Sequence, residues 1–339
     1  MLRLILVSIS TVMALLVAEA AVRTIHPISD GRDNVTLDGT PITSWFEPGT
    51  VYRQVSNEYD ARTTITGEGH RVPGTAGNPD VIFLGDSFTY GWGLPDDETF
   101  ASIYCAGVQK ACVNLGVPGT GTAKQLDRLE SFLDRYGWRP KEVKLFFFGM
   151  SGAWSAGNDF VDNYDERGLS DARARGTSPA PPARDRRAAA PPQAGMAERL
   201  IGLQSAVLQR SNLMRLVKYY WGPAIKSVIV AEPGEERMAV ALRYTAQNFK
   251  RLDALSRKHG FAYTIHLIVP VQDVILGTYT RSQEALQSVS PRPVIATGQL
   301  FTDRPQDYYY AYDGHINSRG SRRIGEFLVT RERGEADGQ

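Results

Sequence analysis

Cysteine and histidine are scarce in this sequence, with two and five among 339 residues. Two cysteines cannot build a multi-disulfide scaffold. No Cys/His cluster stands at ligand spacing, so nothing calls for zinc or any other metal, and no cofactor is implied. Charge of one sign is also lacking. Lys and Arg number 38 against 37 Asp and Glu, a formal net charge of +1. That balance gives no footprint for a nucleic-acid partner. There is no internal repeat. Hydrophobic residues make up 42% and charged residues 22%, an ordinary globular balance, and the length suits one large domain or two small ones.

The N-terminus carries a distinct signal. One positive charge at Arg3 precedes a largely apolar run, Leu4 to Ala18, which ends in Ala18-Glu19-Ala20-Ala21. A basic start, an apolar stretch and small residues describe an export signal. Two fates are open for residues 1–23. Ala18 and Ala20 fit an A-x-A cleavage site. Alternatively the apolar run, continuing through Val22, stays as a membrane anchor, since about 20 residues cross a bilayer as a helix. Either fate places the rest of the chain in the periplasm or another extracytoplasmic space. No cysteine follows the run, so lipoprotein attachment lacks its residue. In an exported chain Cys105 and Cys112 either pair across a short loop or stand as two small buried thiols.

Residues 24–78 read as a polar, Gly- and Asp-punctuated lead-in that packs on the next domain, with an edge strand at Thr63 to Thr66. From Asp80 the pattern becomes β/α. Val81-Ile82-Phe83-Leu84 is a continuous apolar run, as in a strand buried on both faces. Asp96-Asp97-Glu98 opens a helical stretch, with acids where a helix N-terminus favours them. Strands follow at Val113 to Leu115 and Val143 to Phe148, flanking a helix from Lys124 to Tyr136. Residues 166–195, dense in Ala, Pro, Arg and Gly, read as a disordered insertion. Its basic run, Arg173 to Arg187, is either a solvated linker or a contact for anionic lipid or polymer. Helical periodicity returns from Met196 to Trp221, as a core-packing helix or a lid, and again from Glu235 to His259. Tyr263 to Val269 and Val294 to Ala296 are strands, Arg319 to Val329 is the closing helix, and residues 331–339 form a disordered tail. Alternating strands and helices predict an α/β fold, a parallel sheet covered on both faces.

Candidate chemistry lies at the ends of these strands, where open α/β sheets gather ligands. Gly85-Asp86-Ser87 closes the first buried strand. A serine hydroxyl is a poor nucleophile without an adjacent base. Of the five histidines, His315 alone sits on a loop beside an acid, in Asp313-Gly314-His315-Ile316-Asn317, and a His–carboxylate pair orients an imidazole to take a hydroxyl proton. Gly116 ends the second strand, where its N–H can approach an oxyanion. Asn158, beyond the third strand, carries a good oxyanion-donor amide. Each of these alone is also an ordinary turn. Trp92 and Trp154 either stack on a sugar ring or pack in the core.

In this order the four blocks resemble those of the SGNH (GDSL-like) hydrolase superfamily. Ser87 matches the block-one serine, Gly116 the block-two glycine, Asn158 the block-three asparagine, and Asp313 with His315 the last block, over roughly Asp80 to Leu328. The wording Gly-Asp-Ser-Phe-Thr-Tyr-Gly with Asp-Gly-His-Ile-Asn is similar to an exported, membrane-anchored bacterial branch. Two departures stand out: Asp313 lies two residues before His315 rather than three, and Ala156 stands where block three has glycine. The resemblance implies a three-layer α/β/α domain over residues 79–330 with a mostly parallel, flavodoxin-like sheet. It implies catalytic Ser87, His315 and Asp313, and an oxyanion hole of Ser87, Gly116 and Asn158. The implied activity is hydrolysis of an acetyl or short acyl ester on a carbohydrate or lipid. Two alternatives stay open: O-acyl transfer to a cell-envelope or secreted polysaccharide, and non-catalytic polymer binding. Beyond the two tryptophans, the sequence carries no readable code for substrate-binding residues.

Overall fold

The computed structural model describes residues 2–25, 35–37, 40–41, 46–74, 77–149, 158–165, 211–214, 216 and 235–337. The expected insertion at 166–195, nearly all of the 196–221 helix, and Trp154 therefore lie outside the described residues. The chain divides into two units: residues 1–30 with 172–229, and residues 31–171 with 230–339.

In the first unit, helix α1 spans Leu2–Ile25. The Glu19 carboxylate accepts from the N–H groups of Asn212 (3.0 Å) and Leu213 (2.9 Å) and from the Ser211 hydroxyl (2.8 Å). It thereby satisfies the first donors of the helical turn at 212–214, which have no acceptor within the turn. Among the described residues no helix is long and apolar enough to cross a membrane.

Among its described residues the second unit holds two sheets. In the lead-in, β1 (Val35–Leu37), β2 (Thr40–Pro41), β3 (Val51–Val55) and β4 (Asp60–Thr64) form an antiparallel sheet ordered β2-β1-β3-β4. The strand expected at Thr63 to Thr66 is thus the edge strand β4, starting three residues earlier. β3 and β4 alternate exposed and buried residues, as a sheet with one wet face requires.

The main sheet contains β5 (Val81–Gly85), β6 (Cys112–Asn114), β7 (Glu142–Phe148), β8 (Ala262–Ile268) and β9 (Val294–Ala296), all parallel, in the order β6-β5-β7-β8-β9. Between them run α2 (Ser87–Tyr90), α3 (Phe100–Val108), α4 (Thr122–Tyr136), α5 (residues 159–165), α6 (Glu235–His259), α7 (Val271–Ile275) and α8 (Tyr279–Val289), and α9 (Ser318–Asp337) follows β9. Helices α3 and α9 pack together, and α6 packs on α4 and α8. Successive phenylalanines of β7 explain the layering. Phe146 meets Phe100 of α3 at 4.6 Å, and Phe147 meets Phe160 of α5 at 4.7 Å and Phe249 of α6 at 6.3 Å. A strand that must fill both faces reads as an unbroken apolar run. This is the three-layer α/β/α architecture with a parallel central sheet.

Two elements differ from expectation. The acids Asp96–Glu98 form a single 3-10 turn, and α3 begins separately because the Thr99 hydroxyl accepts the Ser102 N–H at 3.1 Å, an N-cap. The expected tail at 331–339 is helical through Asp337. Glu332 there takes the Tyr104 hydroxyl (2.7 Å) and pairs with Lys110, while Arg333 donates to the Gly107 carbonyl at 2.9 Å. Cys105 and Cys112 form a disulfide between the end of α3 and β6, with Cα atoms 6.0 Å apart.

Candidate active site

The turn after β5 brings the first reactive group to the carboxyl edge of the sheet. Asp86 caps α2, its Oδ1 accepting the Phe88 N–H at 2.9 Å, and Ser87 is the first helical residue. Gly91 ends α2 at φ 81°, a left-handed conformation that glycine adopts without strain. Arg71 is fully buried, and its guanidinium donates to the carbonyls of Tyr90, Gly91 and Leu94. The turn carrying Ser87 is therefore gripped from both ends.

The second group arrives on a closed loop before α9. Tyr309 and Ile316 bridge its base, the Tyr310 N–H donates to the His315 carbonyl at 2.8 Å, and the Gly314 N–H donates to the Tyr310 carbonyl at 3.0 Å. Asn317 then caps α9, its Oδ1 accepting the N–H groups of Arg319 (3.0 Å) and Gly320 (3.1 Å).

Here Ser87, His315 and Asp313 come together. His315 Nε2 lies 2.7 Å from Ser87 Oγ, and His315 Nδ1 is hydrogen-bonded to Asp313 Oδ1. A carboxylate only accepts, so Nδ1 carries the proton. In the neutral ring Nε2 is then the acceptor facing the serine hydroxyl. Asp313 Oδ1 also accepts the His315 backbone N–H at 3.2 Å, and Oδ2 accepts the Tyr59 hydroxyl at 3.0 Å. The spacing of two residues between acid and base thus still lets the pair meet in this loop. The imidazole lies against Phe88 (4.7 Å between ring centres) and Trp92 (5.9 Å). Its side chain keeps 16% exposure against 7% for Asp313, so the base is reachable while the acid is shielded.

The electrostatics separate two carboxyls. Burial drives Asp86 up to about 7, only partly opposed by the Phe88 N–H and the nearby His315. Burial also acts against ionised Asp313, but His315 and the Tyr59 hydroxyl outweigh it and hold Asp313 below the usual carboxylate range.

The two remaining oxyanion-hole candidates are placed differently. The Gly116 N–H donates to Asn114 Oδ1 at 2.9 Å, while Asn114 Nδ2 donates to the Thr89 carbonyl at 2.8 Å. That N–H is engaged by the Asn114 side chain in this structure. The glycine is needed for clearance, because a Cβ at Gly116 would collide with the backbone of Thr89 and Tyr90. Asn158 is buried at the start of α5, its Oδ1 accepting the Phe160 N–H at 3.0 Å, which leaves its amide N–H₂ out of that bond. Among the described residues no hydrogen bond joins Asn158 to Ser87 or His315. Of the two readings open for Trp92, the structure has core packing: it is buried, with Nε1–H donating to the Tyr59 hydroxyl at 2.8 Å. Among the described residues no group of His, Cys, Asp and Glu could hold a metal ion.

Sequence reasoning missed four residues at this site: Arg71, Asn114, Glu58 and Tyr59. Glu58 accepts the N–H groups of Tyr312 (3.0 Å) and Asp313 (2.8 Å). Tyr59 reaches Asp313 across 254 positions, and no local pattern announces such a contact.

No protein-family model matches the chain, and no curated protein does. Among solved structures, the chain is similar to a lipolytic protein of the G-D-S-L family from Desulfitobacterium hafniense DCB-2, at 13% identity over 74% of this chain and 97% of that one, with a TM-score of 0.37. It is similar to a carbohydrate esterase at 10% identity over 85% and 84%, TM-score 0.36. A carbohydrate esterase family 2 enzyme with a carbohydrate-binding domain, from Corynascus thermopiles (Myceliophthora fergusii), matches at 13% identity over 80% and 69%, TM-score 0.32. Likenesses this distant decide nothing about chemistry, which rests on the residues themselves.

Proposed function

We propose that this chain is a serine esterase that cleaves a short acyl ester through a covalent acyl-enzyme. The observation that carries the reading is the series Ser87 Oγ, His315 Nε2, His315 Nδ1, Asp313 Oδ1, hydrogen-bonded in that order at the carboxyl edge of a parallel sheet. In this mechanism His315 takes the hydroxyl proton as Ser87 attacks the ester carbonyl. The imidazolium is stabilised by Asp313, and it then protonates the leaving alcohol. Water, deprotonated by the same imidazole, releases the acid and restores Ser87.

The oxyanion needs preorganised donors. Ser87 is the first residue of α2, so its N–H has no acceptor within the helix, and it is the first donor. The Asn158 amide is the second. Gly116 joins them only by exchanging its Asn114 acceptor. Each donor is worth about 3 kcal/mol in the transition state.

The acyl group is acetyl or similarly short, on a carbohydrate or lipid. Export, with residues 1–23 as signal or anchor, belongs to the same reading. Its support is the apolar run behind Arg3 and the Cys105–Cys112 disulfide, a bond that oxidising compartments preserve.

The test is labelling of the full chain with a fluorophosphonate, mapping of the modified residue, and turnover of short acyl esters. Modification at Ser87 that disappears in His315→Ala supports the reading. A folded protein that neither labels nor turns over esters rejects it in favour of polymer binding without catalysis.

A further inference from the structure

The turn joining β3 to β4 lies outside the elements expected to carry chemistry, yet two of its residues grip the Asp313 loop. Glu58 holds the loop's backbone at Tyr312 and Asp313. Tyr59 holds the side chain. Its hydroxyl sits 2.8 Å from Trp92 Nε1 and 3.0 Å from Asp313 Oδ2. An indole N–H can only donate, so the phenol oxygen must accept from Trp92. The phenol has a single proton, and with its acceptor lobe turned to Trp92 that proton is directed at Asp313. The ring is fixed as well, lying against Tyr310 with ring centres 4.9 Å apart.

We infer that Tyr59 is a positioning residue of the proposed esterase: it fixes the second oxygen of Asp313, so that the first stays on His315 Nδ1, with Trp92 setting the direction of the phenol proton. The inference rests on the esterase reading for its kinetic consequence. Its physical basis is the geometry alone. With Oδ2 anchored, the carboxylate cannot rotate about its Cβ–Cγ bond. Rotation would carry Oδ1 off the imidazole and release His315 into other orientations, in which Nε2 no longer faces Ser87. The His315 backbone N–H holds Oδ1 from one side, and the Tyr59 hydroxyl adds the hold on Oδ2.

The decisive variant is Tyr59→Phe, which deletes one oxygen and keeps the ring against Tyr310. The readout is fluorophosphonate labelling of Ser87 in the full chain, measured as a limiting rate and a half-saturating concentration. Tyr59→Phe is expected to lower the limiting rate by on the order of tenfold to a hundredfold, the weight of one hydrogen bond to a charged group, and to leave the half-saturating concentration unchanged. The same change made in Asp313→Asn is expected to alter the rate less than twofold, because a residue acting through Asp313 has nothing left to act on. Trp92→Phe should give a smaller loss that cancels in the same way, and it serves if Tyr59→Phe does not fold. An equal loss in both backgrounds means a structural role and overturns the inference, as does no loss in either.

A wild-type chain that does not label removes the esterase reading but still leaves this inference decidable. The downfield proton on His315 Nδ1, identified by its absence in His315→Ala, is displaced in Tyr59→Phe if the phenol sets the carboxylate. It stays in place if the phenol does not.

Discussion

The two stretches that meet at Ser87 Oγ are held from different distances along the chain. The turn 85–91 is capped locally, Asp86 accepting the Phe88 N–H two residues on and Gly91 closing the turn, and its carbonyls are held by Arg71 and Asn114, 19 to 25 positions away. The loop 310–317 depends on Glu58 and Tyr59, which precede it by about 250 positions. Their carboxyls differ accordingly. Asp86 is buried, the Asp313 side chain is largely shielded, and both feel His315, yet burial drives Asp86 up to about 7 while Asp313 stays below the usual range. Burial therefore does not decide the charge. Donors do. Asp313 collects the imidazole N–H, a backbone N–H and the Tyr59 hydroxyl, whereas Asp86 serves chiefly as a cap. One carboxyl is built to stay ionised, the other to shed its charge.

The contrast can be broken at several points. Ser87→Ala and His315→Ala each remove the most, about 10⁶-fold in kcat, and the double variant is hardly worse because the pair acts as a unit. Strictly additive losses in ester turnover would show that the two residues do not work in series. Next comes Asp313→Asn, which reverses the favoured imidazole tautomer and costs about 10⁴-fold in kcat with little change in KM. A loss confined to KM would assign Asp313 to substrate binding instead. Glu58→Ala strands the N–H groups of Tyr312 and Asp313 and costs about 1–3 kcal/mol, read as a lower urea midpoint together with slower labelling of Ser87. An unchanged midpoint would mean that the loop supports itself after all.

The smallest effect is the sharpest in sign. Asp86 rises from an ordinary 3.8 to about 7 on folding, so from pH 4 to 7 the unfolded chain has released a proton that the native chain retains. Stability from this group is complete below about pH 4 and is lost as pH rises through about 7. For Asp313, lowered on folding, the sign reverses: its contribution is present above the ordinary carboxylate value and is lost as pH falls through its lowered native value. Thermal midpoints from pH 5 to 8 should therefore fall for the wild type relative to Asp86→Asn, whose amide can still accept the Phe88 N–H. A constant difference across that range would mean that Asp86 is ionised in the native protein.

The same division governs what could be read in advance. The strand β5, the phenylalanines of β7 and the helix α6 announce themselves by unbroken apolar runs or helical periodicity, because burial writes directly onto composition. Ser87, Asp313 and His315 were legible because each sits in a short motif at a strand or helix boundary. Contacts between remote segments left no mark. The acids at 96–98 look like a first helical turn, and only the Thr99 cap shows that the helix starts after them. The C-terminal turns looked like a tail because the partners of Glu332 lie more than 200 positions upstream. Trp92 was legible as an aromatic near the site, but not as a donor turned inward to Tyr59. Gly116 was legible as a strand-end glycine, but not its need for clearance against the backbone of Thr89 and Tyr90.

The separation of 228 positions between Ser87 and His315 has a consequence for the life of the chain. Synthesis runs from the N-terminus, so the hairpin with Tyr59 and the turn with Ser87 leave the ribosome long before the base they wait for. Until the 310–317 loop has emerged, Ser87 has no imidazole beside it. A nascent chain ended before His315 carries the proposed nucleophile without its proposed base. On the reading proposed above, the loop before α9 is the arming step of the molecule.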